Sequence, residues 1–124
     1  MPDTTKMSRE DERNLRRLLQ ALDLFAALQP QHKEKQLPLD MFRVFLTVAL
    51  NEGEGAMKFA EVSKVKNTTV SRHLHDLGEL DRYQNAGLEL VYQKVDVRDK
   101  RRRPTYLTPE GRSFLRRLID ALKS

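Results

Sequence analysis

Residues 58–80 decide the fold and read KFAEVSKVKNTTVSRHLHDLGEL. Their apolar side chains recur at helical spacing, which predicts two short helices over Lys58–Lys64 and Asn67–Leu80. Ala60 is small enough for a close crossing of these helices, and Val65 can fill the turn between them. Two short helices joined by so tight a turn are typical of a helix-turn-helix, whose second helix enters the major groove of DNA.

The second helix has one apolar and one polar face. Val70, Leu74 and Leu77 share the apolar face at i, i+4 and i+7. The start and outer side of the helix carry small hydrogen-bonding groups, a histidine and an arginine. We predict a DNA-reading surface formed by Lys66, Asn67, Thr68, Thr69, Ser71, Arg72 and His75. Arginine can bind guanine through two hydrogen bonds, and serine or threonine can contact bases or phosphates. A helical hairpin that binds no DNA would need only the apolar face, so this segment alone leaves both interpretations open.

A second basic segment follows about 30 residues further on. Leu88–Val97 is rich in β-branched and aromatic residues and predicts a strand, and Pro104–Leu107 predicts the returning strand. The hairpin tip between them has five cations. We predict a DNA-binding wing formed by Arg98, Lys100, Arg101, Arg102 and Arg103. Such a tip can cross the phosphate backbone and place an arginine in the minor groove, where the negative potential is concentrated. A basic cluster is more often a solvated surface, but this one lies where a second DNA contact belongs. The sequence does not select among Arg101, Arg102 and Arg103 for the minor groove.

The charge distribution agrees with two separate contacts. The 124-residue chain has a net charge of +5, yet residues 1–40 are neutral and residues 76–93 have a net charge of −3. The excess lies in residues 58–75, with net +3, and in residues 94–108, with net +4. A footprint for nucleic acid should be local, so this pattern favours duplex binding.

Three further helices flank the central region. Ser8 is a good N-cap for a helix over 8–28, Pro38 suits the first turn of a second, and Pro109 begins a last helix over 109–122. The first and last helices have more aliphatic surface than one small domain needs for its own core. We predict a dimer interface formed by Leu15, Leu18, Leu22, Phe25, Leu115, Leu118, Ile119 and Leu122. Burial within one chain is the alternative. Two-fold pairing would place two recognition helices one duplex turn, about 34 Å, apart.

Together these elements predict one domain over residues 1–124. It is a mainly α-helical winged helix-turn-helix (α+β) with a small β-hairpin, in the order α-α-α-α-β-β-α, and we allow for a short extra strand near Met57. Residues 39–108 form the predicted DNA-binding core, and the helices over 8–28 and 109–122 form the dimerisation region.

Six short pieces of the sequence carry a family resemblance. They are Phe59-Ala-Glu-Val62, Thr69-Val-Ser-Arg-His-Leu74, Asp76-Leu77, Gly87-Leu88, Asp96-Val-Arg-Asp-Lys-Arg-Arg102 and Leu107-Thr-Pro-Glu-Gly111-Arg112. Over roughly residues 39–116 the chain resembles the MarR-type winged helix-turn-helix regulators. The last two pieces are the most specific, because an Asp- and Arg-rich wing followed at fixed distance by Leu-Thr-x-x-Gly is a signature of that family. The resemblance implies a homodimer, built from the first and last helices, that binds a pseudo-palindromic operator and usually represses transcription.

Other chemistry has little support in the sequence. The chain has no cysteine, which excludes disulfides and thiolate zinc sites and fits a reducing cytoplasm. His73 and His75 are two residues apart on a helix and point in different directions, so we predict no metal site. Glu52 and Glu54 are carboxylates of the kind any charged surface provides, and we predict no cofactor and no enzymatic activity. The longest apolar run, Val44–Leu50, is far shorter than the roughly 20 residues of a membrane span, and we expect a soluble, cytoplasmic protein.

Two other functions remain open at this point. One is a winged helix that binds an acidic protein partner through its basic wing. The other is a DNA-binding factor for plasmid or phage replication or partition. The sequence indicates neither an effector ligand nor the regulated genes.

Overall fold

The computed structural model describes residues 7–28, 37–79, 87–99 and 101–123. Within these ranges five helices and one two-stranded antiparallel hairpin follow each other in the predicted order. The elements are α1 Arg9–Ala26, α2 Leu39–Leu50, α3 Ala56–Ser63, α4 Asn67–Asp76, β1 Val91–Gln93, β2 Thr105–Leu107 and α5 Pro109–Lys123. The predicted fold class, mainly α-helical with a small hairpin, is confirmed.

Capping side chains set the starts of the first and last helices. The Ser8 hydroxyl accepts a hydrogen bond from the Asp11 N–H at 3.0 Å, as its N-cap position predicts. The Thr108 hydroxyl accepts the Gly111 N–H at 2.9 Å and donates to the Glu89 carbonyl at 2.6 Å. Thr108 therefore both caps α5 and joins it to the segment that leads into β1.

The central helix-turn-helix is held by a buried inner face. Val70 and Leu77 are fully buried, and Leu74 and Val65 nearly so, which confirms the predicted apolar face and the residue that fills the turn. Lys64 occupies the turn position that often holds glycine, and its φ of 64° lies in the left-handed region. A residue with a Cβ pays about 1–2 kcal/mol for that conformation, so the tertiary contacts around the turn must impose it.

The α4 helix is shorter than predicted. It ends at Asp76 and not at Leu80, and the Leu77 carbonyl that follows accepts the N–H groups of Leu90 at 2.8 Å and Val91 at 3.1 Å. The β1 strand is also shorter than the predicted Leu88–Val97, since the chain beyond it forms the wing tip. Most of the predicted loop over 81–87 falls outside the described residues.

The extra strand allowed near Met57 is wrong. Met57 lies in the first turn of α3, because Gly55 begins that helix as its N-cap. Strand-like pairing with β2 occurs a few residues earlier: the Gly53 N–H donates to the Thr105 carbonyl at 2.9 Å, and the Thr105 N–H donates to the Glu54 carbonyl at 2.9 Å. Gly53 has a φ of 93°, which suits a glycine at this point.

The core lies between α2 and the surrounding helices. Val44, Phe45 and Val48 of α2 are fully buried. The Phe45 ring packs against Phe114 of α5 with their centroids 5.5 Å apart. Because α2 also packs against α3, α4 and β2, this one helix joins the helix-turn-helix, the wing and α5 in a single core.

Candidate nucleic-acid interface

The outer side of α4 presents the predicted reading residues to solvent. Lys66, Asn67, Thr68, Ser71, Arg72 and His75 are exposed, and Thr69 is half-buried. Burial of the opposite face fixes the rotation of the helix about its axis. The polar face is therefore held outward by the core and not by contacts of its own.

An open cleft of about 780 Å³ separates α4 from the wing. Asn67, Ser71 and His75, spaced by one helical turn each, line it from α4. Arg101, Arg102 and Arg103 line it from the wing. The remaining lining residues are the segment Gly53–Lys58, Leu74, Gln93 and Pro104. We call this feature the α4–wing cleft. Asn67, Ser71 and His75 therefore face the basic wing across the cleft, whereas Thr68 and Arg72 are exposed on α4 but do not line the cleft.

Two aspartates shape the wing tip. The Asp96 carboxylate accepts the N–H of Arg98 at 2.9 Å and that of Asp99 at 3.4 Å. The Asp99 carboxylate accepts the backbone N–H of Arg101 at 3.0 Å and its Nε–H at 3.4 Å. These side-chain-to-backbone bonds are the kind that Asp uses to form turns, so both acids fold the tip.

Four of the five predicted wing cations project from this tip. The exposed ones are Arg98, Arg101, Arg102 and Arg103. The fifth, Lys100, lies outside the described residues. The turn-forming role of Asp96 and Asp99 was not predicted, although their positions two residues before Arg98 and Arg101 match an Asp-centred turn.

Glu52 connects the wing to the rest of the domain through hydrogen bonds. Its carboxylate accepts the backbone N–H of Leu107 in β2 and a guanidinium N–H of Arg112 in α5, each at 2.8 Å. Arg43 makes a comparable connection in the helix-turn-helix, where its guanidinium donates to the carbonyl of Ser63 at the end of α3. Glu52 therefore has a structural role that its sequence context did not reveal.

Six of the eight predicted dimer residues are at least partly exposed. Leu15 and Leu18 are each 52% exposed, Leu122 is 50% exposed and Leu22 38% exposed, whereas Leu115 and Ile119 are half-buried. Leu19, which the prediction omitted, is 59% exposed.

Phe25 and Leu118 do not belong to that exposed surface. Both are buried within the chain, at 5% and 3% exposure. The Phe25 ring stacks on Phe42 with their centroids 4.5 Å apart. Their assignment to a dimer interface is corrected: they are core residues, because α1 packs along α5 and buries the inner edge of each aliphatic face.

The two histidines that the structure describes differ in exposure. His73 is buried, at 8% exposure, and His75 is exposed in the α4–wing cleft. Among the residues that the structure describes, no group of three or more His, Cys, Asp and Glu side chains could hold a metal ion. Over the same ranges, no helix is long and apolar enough to cross a membrane.

Comparison of the sequence with family models and with curated proteins gives no match. The three-dimensional structure, in contrast, matches several solved structures. Staphylococcus aureus MepR in complex with DNA matches with a TM-score of 0.61 and 18% sequence identity, over 86% of this chain and 73% of MepR. A MarR-family transcriptional regulator from Silicibacter pomeroyi matches with a TM-score of 0.59 and 23% identity, over 92% of this chain and 66% of that protein. The chain has the winged-helix fold of the MarR-family regulators.

The repressor CouR, bound to a 23-mer DNA duplex, has the same MarR fold. It matches with a TM-score of 0.60 and 20% identity, over 98% of this chain and 81% of CouR. The MarR fold was expected from the wing and from the Leu-Thr-x-x-Gly piece that follows it. The structural matches confirm this expected fold.

Proposed function

We propose that this chain is a sequence-specific double-stranded DNA-binding regulator of transcription that acts as a homodimer, most simply as a repressor. The observation that carries the proposal is the α4–wing cleft, in which the polar face of a recognition helix and an arginine-rich hairpin face the same space. The fold adds support, because MepR and CouR share it and are described in complexes with DNA. The cytoplasm is the proposed location, and we assign the chain no enzymatic activity.

The dimensions of DNA explain how such a surface would work. The major groove is about 12 Å wide and admits an α-helix, which assigns it to α4. The minor groove is about half as wide and attracts single arginine side chains, which suits the wing. Phosphate contacts from the wing would position the protein, and contacts from Thr68, Ser71 and Arg72 would read bases.

Homodimerisation would use the exposed aliphatic side chains of α1 and α5. The proposed surface consists of Leu15, Leu18, Leu19, Leu22, Leu115, Ile119 and Leu122. Five of these leucines are between 38% and 59% exposed, and exposed apolar surface is typical of an interaction site where it is extensive. Two-fold symmetry would present two α4 helices to successive turns of one duplex face.

Selection of bound sequences from a random duplex pool tests the proposed function. We expect enrichment of a two-fold-symmetric sequence whose half-sites lie one helical turn, about 34 Å, apart. The positions of that sequence in a genome then separate a regulator from a replication or partition factor, because promoters and replication origins are different targets. A pool that remains random after repeated rounds would contradict sequence-specific binding.

Replacing Arg72 by alanine tests the reading role of α4. We expect a loss of about 1–3 kcal/mol in binding to the selected duplex and relaxed base preference at one position in each half-site, because a two-hydrogen-bond contact to guanine is removed. Competition binding against duplexes that vary at single positions measures both effects. The matched control is Arg13→Ala on α1, which removes an equally exposed arginine far from the cleft; equal losses in both variants would contradict a base contact by Arg72.

Replacing Leu18 and Leu22 together by glutamate tests the dimer. Because two carboxylates would enter the apolar surface, we expect a monomer in sedimentation equilibrium and an affinity for the symmetric duplex lower by about 100-fold, since the gain from two linked half-sites is lost. Leu50→Glu is the control, because Leu50 is an 81% exposed leucine of α2 outside the proposed interface. A Leu18 and Leu22 variant that stays dimeric would show that the interface lies elsewhere.

A further inference from the structure

The α4–wing cleft contains a carboxylate among its basic groups. The basic or potentially basic side chains that line it are Lys58, His75, Arg101, Arg102 and Arg103. Glu54 lines the same cleft and is the one acidic residue among its described lining residues. A negative charge at this position opposes the binding of phosphate by the surrounding basic groups.

The backbone holds Glu54 in place beside the wing. Its carbonyl accepts the Thr105 N–H at 2.9 Å, and the preceding Gly53 N–H donates to the Thr105 carbonyl at the same distance. On the other side, a Cβ placed on Gly55 would lie 3.9 Å from the Arg103 carbonyl oxygen, so the two chain segments are in contact. The backbone of Glu54 is therefore held next to the wing strand by hydrogen bonds.

Glu54 differs from Glu52 in having no structural partner for its side chain among the described residues. Glu52, two residues earlier, uses its carboxylate to bind β2 and α5. Glu54 is exposed and forms no ion pair or side-chain hydrogen bond with the residues that the structure describes. No described partner neutralises its charge, and Glu54 lines the same cleft as the wing arginines.

We propose that Glu54 lowers the affinity of the cleft for the DNA backbone, so that phosphate contacts by the wing alone hold a duplex only weakly. The proposal rests on the proposed function, and it deepens that function by assigning a residue that sets binding strength. A phosphate that enters the cleft meets a like charge as well as the arginines, and like charges a few ångströms apart repel. The repulsion acts on every duplex, whatever its sequence, and salt screens it.

The experiment compares Glu54→Gln with Glu61→Gln in titrations of two duplexes. One is the selected duplex, and the other is a mixed-sequence duplex of about 30 base pairs, long enough to span two turns. Glu61 is a matched control, because it is an exposed glutamate of α3 that does not line the cleft. Neither side chain holds a described partner, so both variants should melt at the temperature of the unmodified protein.

Glu54→Gln is expected to tighten binding to both duplexes by about threefold to tenfold at low salt, because the repulsion is removed. The gain should shrink as salt rises, since the screening length falls from about 30 Å at 0.01 M to about 8 Å at 0.15 M. Glu61→Gln should change either affinity by less than about twofold, as a charge beyond the cleft is screened.

Three results would overturn the role of Glu54 alone: unchanged affinity in Glu54→Gln, equal gains in both variants, or a loss confined to the selected duplex, which would indicate a base contact. If the unmodified protein binds neither duplex, the proposed function fails, and the role of Glu54 fails with it.

Discussion

Arg101 and Arg102, changed together to alanine, are expected to give a protein that binds every duplex about 10- to 100-fold more weakly at moderate salt. Both side chains line the α4–wing cleft and are exposed, so they are placed to neutralise phosphates. Each lost phosphate contact should reduce the slope of log affinity against log salt by about 0.9. Base preference at the positions read by α4 should stay as it is, because that helix is unchanged. Anisotropy titrations over a range of salt concentrations measure both quantities.

The matched control for the wing variant is Arg116→Ala with Arg117→Ala on α5, which removes the same charge from exposed positions outside the cleft. Loss of the exposed ion pairs to Asp99 and Asp96 should cost the wing variant little stability, since such pairs are worth about 0–1 kcal/mol. Undiminished affinity in the wing variant would show that the hairpin tip does not touch DNA. If the unmodified protein shows no salt-dependent duplex binding, a winged helix that binds an acidic protein partner becomes the better interpretation.

Replacement of Gly111 by alanine is expected to have the largest effect on stability. A Cβ at this position would lie 2.0 Å from the Leu90 carbonyl oxygen, and 3.0 Å from its carbonyl carbon. The Leu90 carbonyl cannot easily retreat, because it accepts the Thr108 N–H at 3.0 Å and because Leu90 is buried. Overpacking costs about 1–3 kcal/mol where side chains can adjust, and a contact with fixed backbone should cost about 3 kcal/mol or more.

Urea denaturation followed by circular dichroism measures this loss of free energy of unfolding. Ser113→Ala on the same helix is the control, because Ser113 is exposed and substitutions at such sites usually stay within about 0.5 kcal/mol. A Gly111 variant as stable as that control would show that α5 does not approach the Leu90 segment so closely. The expected clash also gives a physical reason for the glycine in the Leu-Thr-x-x-Gly piece: at this point the last helix lies directly against the backbone that enters β1.

Local patterns predicted the parts of the fold that depend on neighbouring residues. The cap at Ser8 follows from a hydrogen bond within one helical turn, and the start of α5 follows from Pro109. The inner face of α4 follows from helical spacing, because Val70, Leu74 and Leu77 lie on one side of the helix and are buried together when that side packs against the core. The wing was predictable for the same reason, since β-forming segments flanked a basic turn.

Apart from the turn-forming role of Asp96 and Asp99, whose partners lie two or three residues away, the errors concern contacts between residues distant in sequence. Nothing near Phe25 shows that it stacks on Phe42, so the periodicity of α1 could not separate core from exposed surface. The early end of α4 depends on hydrogen bonds from Leu90 and Val91, beyond the reach of a helical pattern. The strand allowed near Met57 was misplaced because pairing with Thr105 is set by the position of β2 and not by β-propensity. Glu52 was missed in the same way, since its partners lie 55 and 60 residues along the chain.

Footprinting of the complex with the selected duplex tests most directly whether α4 and the wing bind the same face of the DNA. Guanine N7 methylation reports the major groove, and hydroxyl-radical cleavage reports the sugars along the minor groove. We expect each half-site to show a protected major-groove segment beside a protected minor-groove segment, and we expect the Arg101 and Arg102 variant to lose only the second. Protected segments on opposite faces of the duplex, or minor-groove protection that survives in that variant, would contradict the account.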